Sequence, residues 1–239
     1  MTKIHIVHLY PSEMNIYGDT GNRLILEKRL EWRGYQPVVQ MVGVGQKIPK
    51  QADIILGGGG QDSGQMLVVD DLQTKKTDLQ AMHKDGVVML MICGMYQLFG
   101  NYFQTSEGDK LKGIGIFDLV TAAGDKRLIG NIKTQTPFGQ LVGYENHSGL
   151  TTLGKDQNWL GKCDKYRGNN GKDQTEGAIS GNVFGSYLHG PMLSKNPHFA
   201  DELIRRALER KLGKSIPELS PLNDIFELQA AKIAARRPR

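Results

Sequence analysis

The apolar and polar positions of this chain change their period as it is followed. In "KIHIVHLY" (3–10) they alternate and β-branched residues crowd together, which predicts a first strand. "PSEMNIYGDTGN" (11–22) has no period and two glycines, so it reads as a loop. "RLILEKRLEWRG" (23–34) has helical spacing and closes on Gly34, a helix-ending glycine. "QPVVQMVGV" (36–44) reads as a strand, and "ADIILGGGGQDS" (52–63) as a short buried strand running into four glycines. A helix is predicted from about Asp70 to Lys84. "GVVMLMICG" (86–94) is almost wholly apolar, as a parallel strand covered on both faces would be. "MYQLFGNYF" (95–103) then reads as helical.

This succession predicts an α/β domain with a mainly parallel central sheet flanked by helices. From Leu111 to about Leu188 glycines are frequent and short alternating runs recur, among them "RLIGNIKTQT" and "GAISGNVFGSYLHG". These predict shorter strands and turns that extend or cover the sheet. "PHFADELIRRALERKL" (197–212) is an amphipathic helix. "SPLNDIFELQAAKIAARR" (220–237) offers a last one, with Ser220 as its N-cap. No repeat, low-complexity linker or charge block divides the chain. Residues 1–239 therefore read as one domain whose C-terminal helices occupy about 197–237.

Composition adds bounds. A chain of 239 residues, 39% apolar and 23% charged, has the make-up of an ordinary globular protein with a sizeable core. The net charge of +5 gathers partly in "AAKIAARRPR", which reads as a solvated helix end rather than a nucleic-acid or lipid surface. No run approaches the ~18 apolar residues of a membrane span, so no transmembrane segment is predicted. The N-terminus alternates where a signal peptide would have an apolar core. Two cysteines without framework spacing point to a reducing compartment, and the expected location is the cytoplasm.

One of those cysteines stands where chemistry is expected. Ligands of open parallel sheets bind beyond the carboxyl ends of the strands, where both "ILGGGG" and "MLMICG" finish. A cysteine at a sharp strand-to-helix turn exposes its sulfur to the partial positive charge of the helix N-terminus, which favours thiolate. The N–H of Gly94 would face an oxyanion formed on Cys93, the arrangement of a nucleophile elbow. Against this stands the ordinary role of a free cysteine as a small buried filler. The cluster Gly57 to Gly60 adds N–H groups at the same sheet edge, although GGGG alone lacks the features of a P-loop or a dinucleotide fingerprint. Cys163, in "LGKCDKYRGNNGKD", reads as part of an exposed polar loop without a role.

A thiol nucleophile needs a base, usually histidine. His5, His8, His83 and His198 sit within or beside regular elements and read as structural. His147 ("GYENHSG") and His189 ("GSYLHGP") both end short apolar runs before a turn, and spacing does not choose between them.

Together, "ILGGGGQD", "ICGMYQLFG", "GYENHSG" and "GSYLHGP", in that order between residues 54 and 191, resemble class I glutamine amidotransferases of the cobyric acid synthase-like branch. With the early "NIYGDTGN" and the short chain, they are most similar to the glutaminase subunits of lipid II isoglutaminyl synthases. The resemblance implies Cys93 as nucleophile and His189 as its histidine. It places Gly59 and Gly94 where backbone donors form an oxyanion hole. Arg127, in "GDKRLIGN", matches an arginine that binds glutamine, and a guanidinium suits a free α-carboxylate. Glu145 and His147 belong to a family motif and receive no catalytic role.

Two departures stand out. Met91 and Met95 occupy positions where many relatives carry glycine on either side of the cysteine. Pro191 stands where many carry a glutamate two residues after the histidine, so the acid that would orient His189 is missing locally. It comes from elsewhere in this chain, from a partner, or from nowhere.

The resemblance further implies that glutamine is hydrolysed through a cysteine thioester and that the ammonia is consumed elsewhere. No Walker A pattern is present, so no cofactor is expected on this chain. ATP and magnesium are expected on a separate Mur-ligase-like synthetase, joined to this subunit as a heterodimer. Two other classes stay open: a glutaminase subunit for a different ATP-dependent amidation, and a non-catalytic glutamine-binding scaffold.

Overall fold

A computed structural model describes residues 1–216 and 218–237; residues 217, 238 and 239 lie outside the described residues. The first half alternates strands and helices: β1 (Lys3–Leu9), α1 (Thr20–Glu31), β2 (Gln36–Val42), β3 (Ile54–Gly57), α2 (Asp62–Lys84), β4 (Val88–Ile92) and the short α3 (Gly94–Leu98). Then follow β5 (Tyr102–Gln104), β6 (Lys110–Lys112), β7 (Leu119–Thr136), β8 (Gly139–Leu153), β9 (Gly161–Cys163), β10 (Thr175–Glu176), β11 (Ala178–Ser180) and β12 (Val183–Ser186). Two helices, α4 (Pro197–Leu212) and α5 (Ile225–Ala234), close the chain.

Among the described residues the strands make two sheets. The first has the order β11-β12-β4-β3-β1-β2 and is parallel except for β11 on β12. Its middle strands carry unbroken apolar runs because helices cover both faces; every residue of β3, β4 and β12 is buried. The register sets Gly57 beside Met91 and Ser186 beside Ile92, so the three strands end together. The loops after β3, β4 and β12 therefore leave from one edge.

The second sheet departs from the expectation of short covering strands. β7 and β8, of 18 and 15 residues, pair as one long antiparallel hairpin, with β5, β6, β9 and β10 attached. The frequent glycines had suggested breaks, but several serve close packing instead. A Cβ on Gly143 would lie 2.6 Å from that of Leu188, and one on Gly161 2.4 Å from Thr134 Cγ2.

Other boundaries move too. α2 begins at Asp62, eight residues before the predicted start at Asp70. The obstacle in the sequence was Gly64, which is needed because a Cβ there would meet the Glu13 carbonyl at 2.8 Å. The helix seen in "MYQLFGNYF" ends at Leu98, and Tyr102–Gln104 continue as strand. α5 starts after Asp224, not at Ser220, and among its residues none is buried. Cys163 lies on β9, half-buried, with its sulfur toward the Thr175 carbonyl at 3.6 Å. Burial, reinforced by Glu176, pushes its thiol up to about 12, so it stays protonated.

The C-terminal segment is fastened by Arg29. This side chain, 2% exposed, donates to Asp201 at 2.7 Å on α4 and to Asp224 at 2.5 Å ahead of α5. Both aspartates are planar acceptors for the guanidinium fork, the geometry that offsets its desolvation.

Gly185, in the middle of β12, shows how little space the first sheet leaves. A Cβ there would lie 2.0 Å from Tyr96 Cδ2 and 3.0 Å from Phe117 Cε2, both rings being fully buried. Gly185→Ala is expected to cost about 1–3 kcal/mol of stability through overpacking, seen as a lower midpoint in chemical denaturation with an unchanged slope.

Candidate active site

Cys93 is the single residue between β4 and α3. Its backbone has φ +50° and ψ −106°, a conformation that a side chain with a Cβ rarely adopts. Such a turn reverses the chain from strand to helix and leaves the sulfur at the sheet edge. The Cys93 N–H donates to the Ser186 carbonyl at 2.8 Å, fixing the turn to the end of β12. The two methionines that replace expected glycines do not obstruct it. Met91 and Met95 are fully buried over Gly57 of β3, where a Cβ would lie 2.8 Å from Met91 Sδ and 2.9 Å from Met95 Cγ. The space comes from a glycine on the neighbouring strand.

His189 follows β12 and is pinned to β8 by two backbone bonds with Tyr144, at 2.9 and 3.2 Å. Its ring meets Cys93 at Gly59: a Cβ on Gly59 would lie 2.8 Å from His189 Cε1 and 3.2 Å from Cys93 Cβ. The structure thus brings His189, and not His147, against Cys93. Burial alone would lower the imidazole's pKa, but Asp19 and Cys93 more than offset it and raise it to about 10. His147 instead stacks on Tyr187 at 3.6 Å between ring centroids, beside the cavity, with Nδ1 on the Gly149 carbonyl at 2.8 Å. His8, buried at the end of β1, is held down to about 4 by desolvation and by Arg23, so it stays neutral.

Asp19 was not singled out from the sequence. It lies in "NIYGDTGN", 3% exposed, with Oδ1 3.5 Å from His189 Nδ1. Its Oδ2 accepts the Gly59 N–H at 2.7 Å. Gly59, expected as an oxyanion donor, is therefore already engaged. Among the described residues the N–H groups of Gly60 and Gly94 have no acceptor, and Gly60 N comes within 3.1 Å of where a Gly94 Cβ would be. A signal for Asp19 was absent because 170 residues of chain separate it from the histidine.

Beside Cys93 opens a cavity of about 310 Å³. Arg127 reaches it from a bulge where β7 loses register with β8 between Ala123 and Leu128. Bulges of this kind re-aim side chains. The Arg127 Nε donates to Asn146 Oδ1 at 2.7 Å, and among the described residues the outer guanidinium nitrogens have no acceptor. The floor is polar and connected: Gln65 donates to Gln97 at 2.8 Å, and Gln97 to Tyr187 at 3.0 Å. Buried polar groups satisfied in this way are rigid.

These features match a family. The model of the CobB/CobQ-like glutamine amidotransferase domain matches residues 5–197, which include every residue of this site. The chain belongs to that family. Among similar proteins, the GatD subunit of lipid II isoglutaminyl synthase (glutamine-hydrolysing) from Streptococcus pneumoniae is 38% identical over 96% of this chain and 90% of its own length. The Staphylococcus aureus protein of the same name is 36% identical over 99% and 97%. A cobyric acid synthase from Cereibacter sphaeroides is 32% identical over 76% of this chain but only 37% of that protein. In fold, the amidotransferase resembles a chain of the PurLQS structure from Thermotoga maritima, with a TM-score of 0.58 at 18% identity, covering 89% of this chain and 99% of that one.

An amidotransferase of this family acts on glutamine, a zwitterion that carries a free carboxylate. If the outer nitrogens of Arg127 take that carboxylate, a charged hydrogen bond worth about 1.5–3 kcal/mol is at stake. Arg127→Ala is expected to raise the glutamine KM by roughly 10- to 100-fold with a smaller change in kcat. Asn146→Ala is expected to do the same more weakly, since it only orients Arg127; steady-state ammonia release checks both.

Proposed function

We propose that this amidotransferase is the glutamine-hydrolysing subunit of a lipid II isoglutaminyl synthase. The observation that carries the chemistry is the left-handed turn of Cys93 against the buried His189. The sulfur attacks the side-chain amide carbon of glutamine, and His189 first takes the thiol proton and then delivers it to the leaving nitrogen. The N–H groups of Gly60 and Gly94 are the donors free to receive the oxyanion; one such donor is typically worth ~10²–10³ in rate. Ammonia departs, leaving a glutamyl thioester on Cys93. Water, deprotonated by His189, adds to the thioester carbonyl, and glutamate leaves as the thiol re-forms.

The substrate of the ammonia is read from the relatives. Both proteins named as lipid II isoglutaminyl synthase subunits match this chain across nearly their whole length as well as its own. The cobyric acid synthase match, in contrast, accounts for little more than a third of that enzyme. Ammonia released from glutamine needs a synthetase to consume it. In this reading the synthetase is a Mur-ligase-like protein of the MurT type, forms a heterodimer with this chain, and brings ATP and magnesium. It activates the α-carboxylate of the D-glutamate in the peptidoglycan stem peptide, and ammonia converts that group to an amide. The reaction belongs in the cytoplasm, where the precursor is assembled; among the described residues no helix is long and apolar enough to cross a membrane.

The test is direct. Cys93→Ala is expected to abolish ammonia release from glutamine, and His189→Ala to reduce it by ~10²–10⁴-fold. Wild-type rates in either variant would refute the assignment. Amidation of lipid II in the presence of a Mur-ligase-like synthetase, ATP and glutamine tests the acceptor. Failure of that arm alone, with glutamine hydrolysis intact, would leave a glutaminase serving a different synthetase.

A further inference from the structure

His189 lacks the acid that many relatives carry two residues downstream, where this chain has Pro191. Its Nδ1 is buried, 1% of the side chain being exposed, so a partner protein cannot reach that nitrogen without unpacking the site. The acid must already be inside. Three carboxylates are buried around the site: Asp19, Glu145 and Glu176. Both oxygens of Glu145 are taken, one by Arg167 at 2.8 Å and the other by the Gly168 N–H at 2.8 Å. Glu176 has both oxygens engaged as well, accepting from the Tyr187 N–H at 2.6 Å and from the Ser186 hydroxyl, and burial raises its pKa to about 8.

Asp19 differs. Its Oδ1 is buried and without a hydrogen-bond partner, and so are both ring nitrogens of His189. Unpaired polar atoms this deep are costly, and these two groups face each other at 3.5 Å. Closure by roughly 0.5 Å would form an ordinary hydrogen bond. Asp19 also occupies the N-cap position of α1, where an aspartate usually accepts from the helix's first amides. Here it makes no such bond, and Asn15 Oδ1 accepts the Thr20 N–H at 2.8 Å in its stead. The carboxylate is turned away from the helix and toward the histidine.

We propose that Asp19, from the loop before α1, is the positioning residue for His189, and that its second oxygen ties the same imidazole to the glycine loop through the Gly59 N–H. The inference rests on the glutaminase reading above. An acceptor at Nδ1 keeps the proton there and leaves Nε2 free for the thiol proton; it also stabilises the imidazolium once formed. The groups facing His189 are Cys93 from the β4 turn, Asp19, the Tyr17 ring at 4.4 Å, and Glu176 behind. His8 stands near Asp19, and Arg23 near His8. Among the described residues facing His189, Asp19 is the carboxylate with an oxygen to spare.

Asp19→Asn separates the two arms. The asparagine carbonyl can still accept the Gly59 N–H, while its amide donates to Nδ1 and forces the proton onto Nε2. The full chain, with its synthetase where the two co-purify, is expected to lose ~10²–10⁴-fold in kcat with KM nearly unchanged. The alkaline limb of its kcat/KM profile should move to lower pH, since the anion that raises the imidazole is gone, with the unfolding midpoint retained. Alkylation of Cys93 by iodoacetamide, which needs no glutamine turnover, should slow near neutral pH. If Asp19→Asn matches wild type in rate, pH profile and alkylation while Asp19→Ala is impaired, Asp19 only braces Gly59 and the inference is overturned. Altered alkylation in Asp19→Asn, with a wild type that releases no ammonia from glutamine, would uphold the positioning role and overturn the glutaminase reading.

Discussion

The site depends on one strained backbone position. Cys93 must sit at φ +50° for β4 to turn into α3 within a single residue. A residue with a Cβ holds that conformation only when its surroundings over-determine it. Here they do so from three sides. Ser186 of β12 accepts the Cys93 N–H, the Met91 and Met95 side chains fill the gap over Gly57 of β3, and Gly58 accepts from Met95 N at 3.4 Å. The strain is thus held by the same parallel register that brings the ends of β3, β4 and β12 to one edge. Cys93, the glycine loop and His189 are neighbours because their strands are.

What the parallel sheet cannot supply comes from longer connections. The sheet edge gives a thiol, an imidazole and amide donors, but neither an acid for the imidazole nor a grip on an amino acid. The acid arrives on the loop after β1. Arg127 arrives from the β7–β8 hairpin, where a bulge bends the strand over the cavity. Among the described residues each side chain is held by one hydrogen bond, Asp19 by the Gly59 N–H and Arg127 by Asn146.

Much of this was legible in the sequence, and the reasons are local. An unbroken apolar run marks a doubly covered strand, and the glycines and cysteine at the ends of two such runs mark the sheet edge. The amphipathic α4 was plain for the same reason. Where the reading failed, a non-local cause was at work. Gly64 disguised the first turns of α2, because its purpose is to let the Glu13 carbonyl approach. The β7–β8 hairpin looked fragmented because glycines in and beside it serve packing: Gly143 of β8 makes room for Leu188, and Gly161 of β9 for Thr134 of β7. Asp19 carried no signal: a carboxylate in a glycine-rich loop is ordinary until the fold sets it beside a histidine far along the chain.

The C-terminal segment extends beyond residue 197, the end of the matched family domain, yet it is bonded to the site's scaffold. α1 is the connection. Its N-cap position is Asp19, against His189, and Arg29 near its other end binds Asp201 of α4 and Asp224 ahead of α5. Arg29 lies ten helical steps from Asp19, about 15 Å along a stiff rod. α5 itself buries none of its residues and leaves Ile225 at 65% and Phe226 at 80% exposure. Its start is tied to α1 through Asp224, and the helix also touches β8 and the turn at Met192–Lys195, with Glu227, Ala231 and Ala234 half-buried. The start of the last helix and the site's acid are thus referred to the same element.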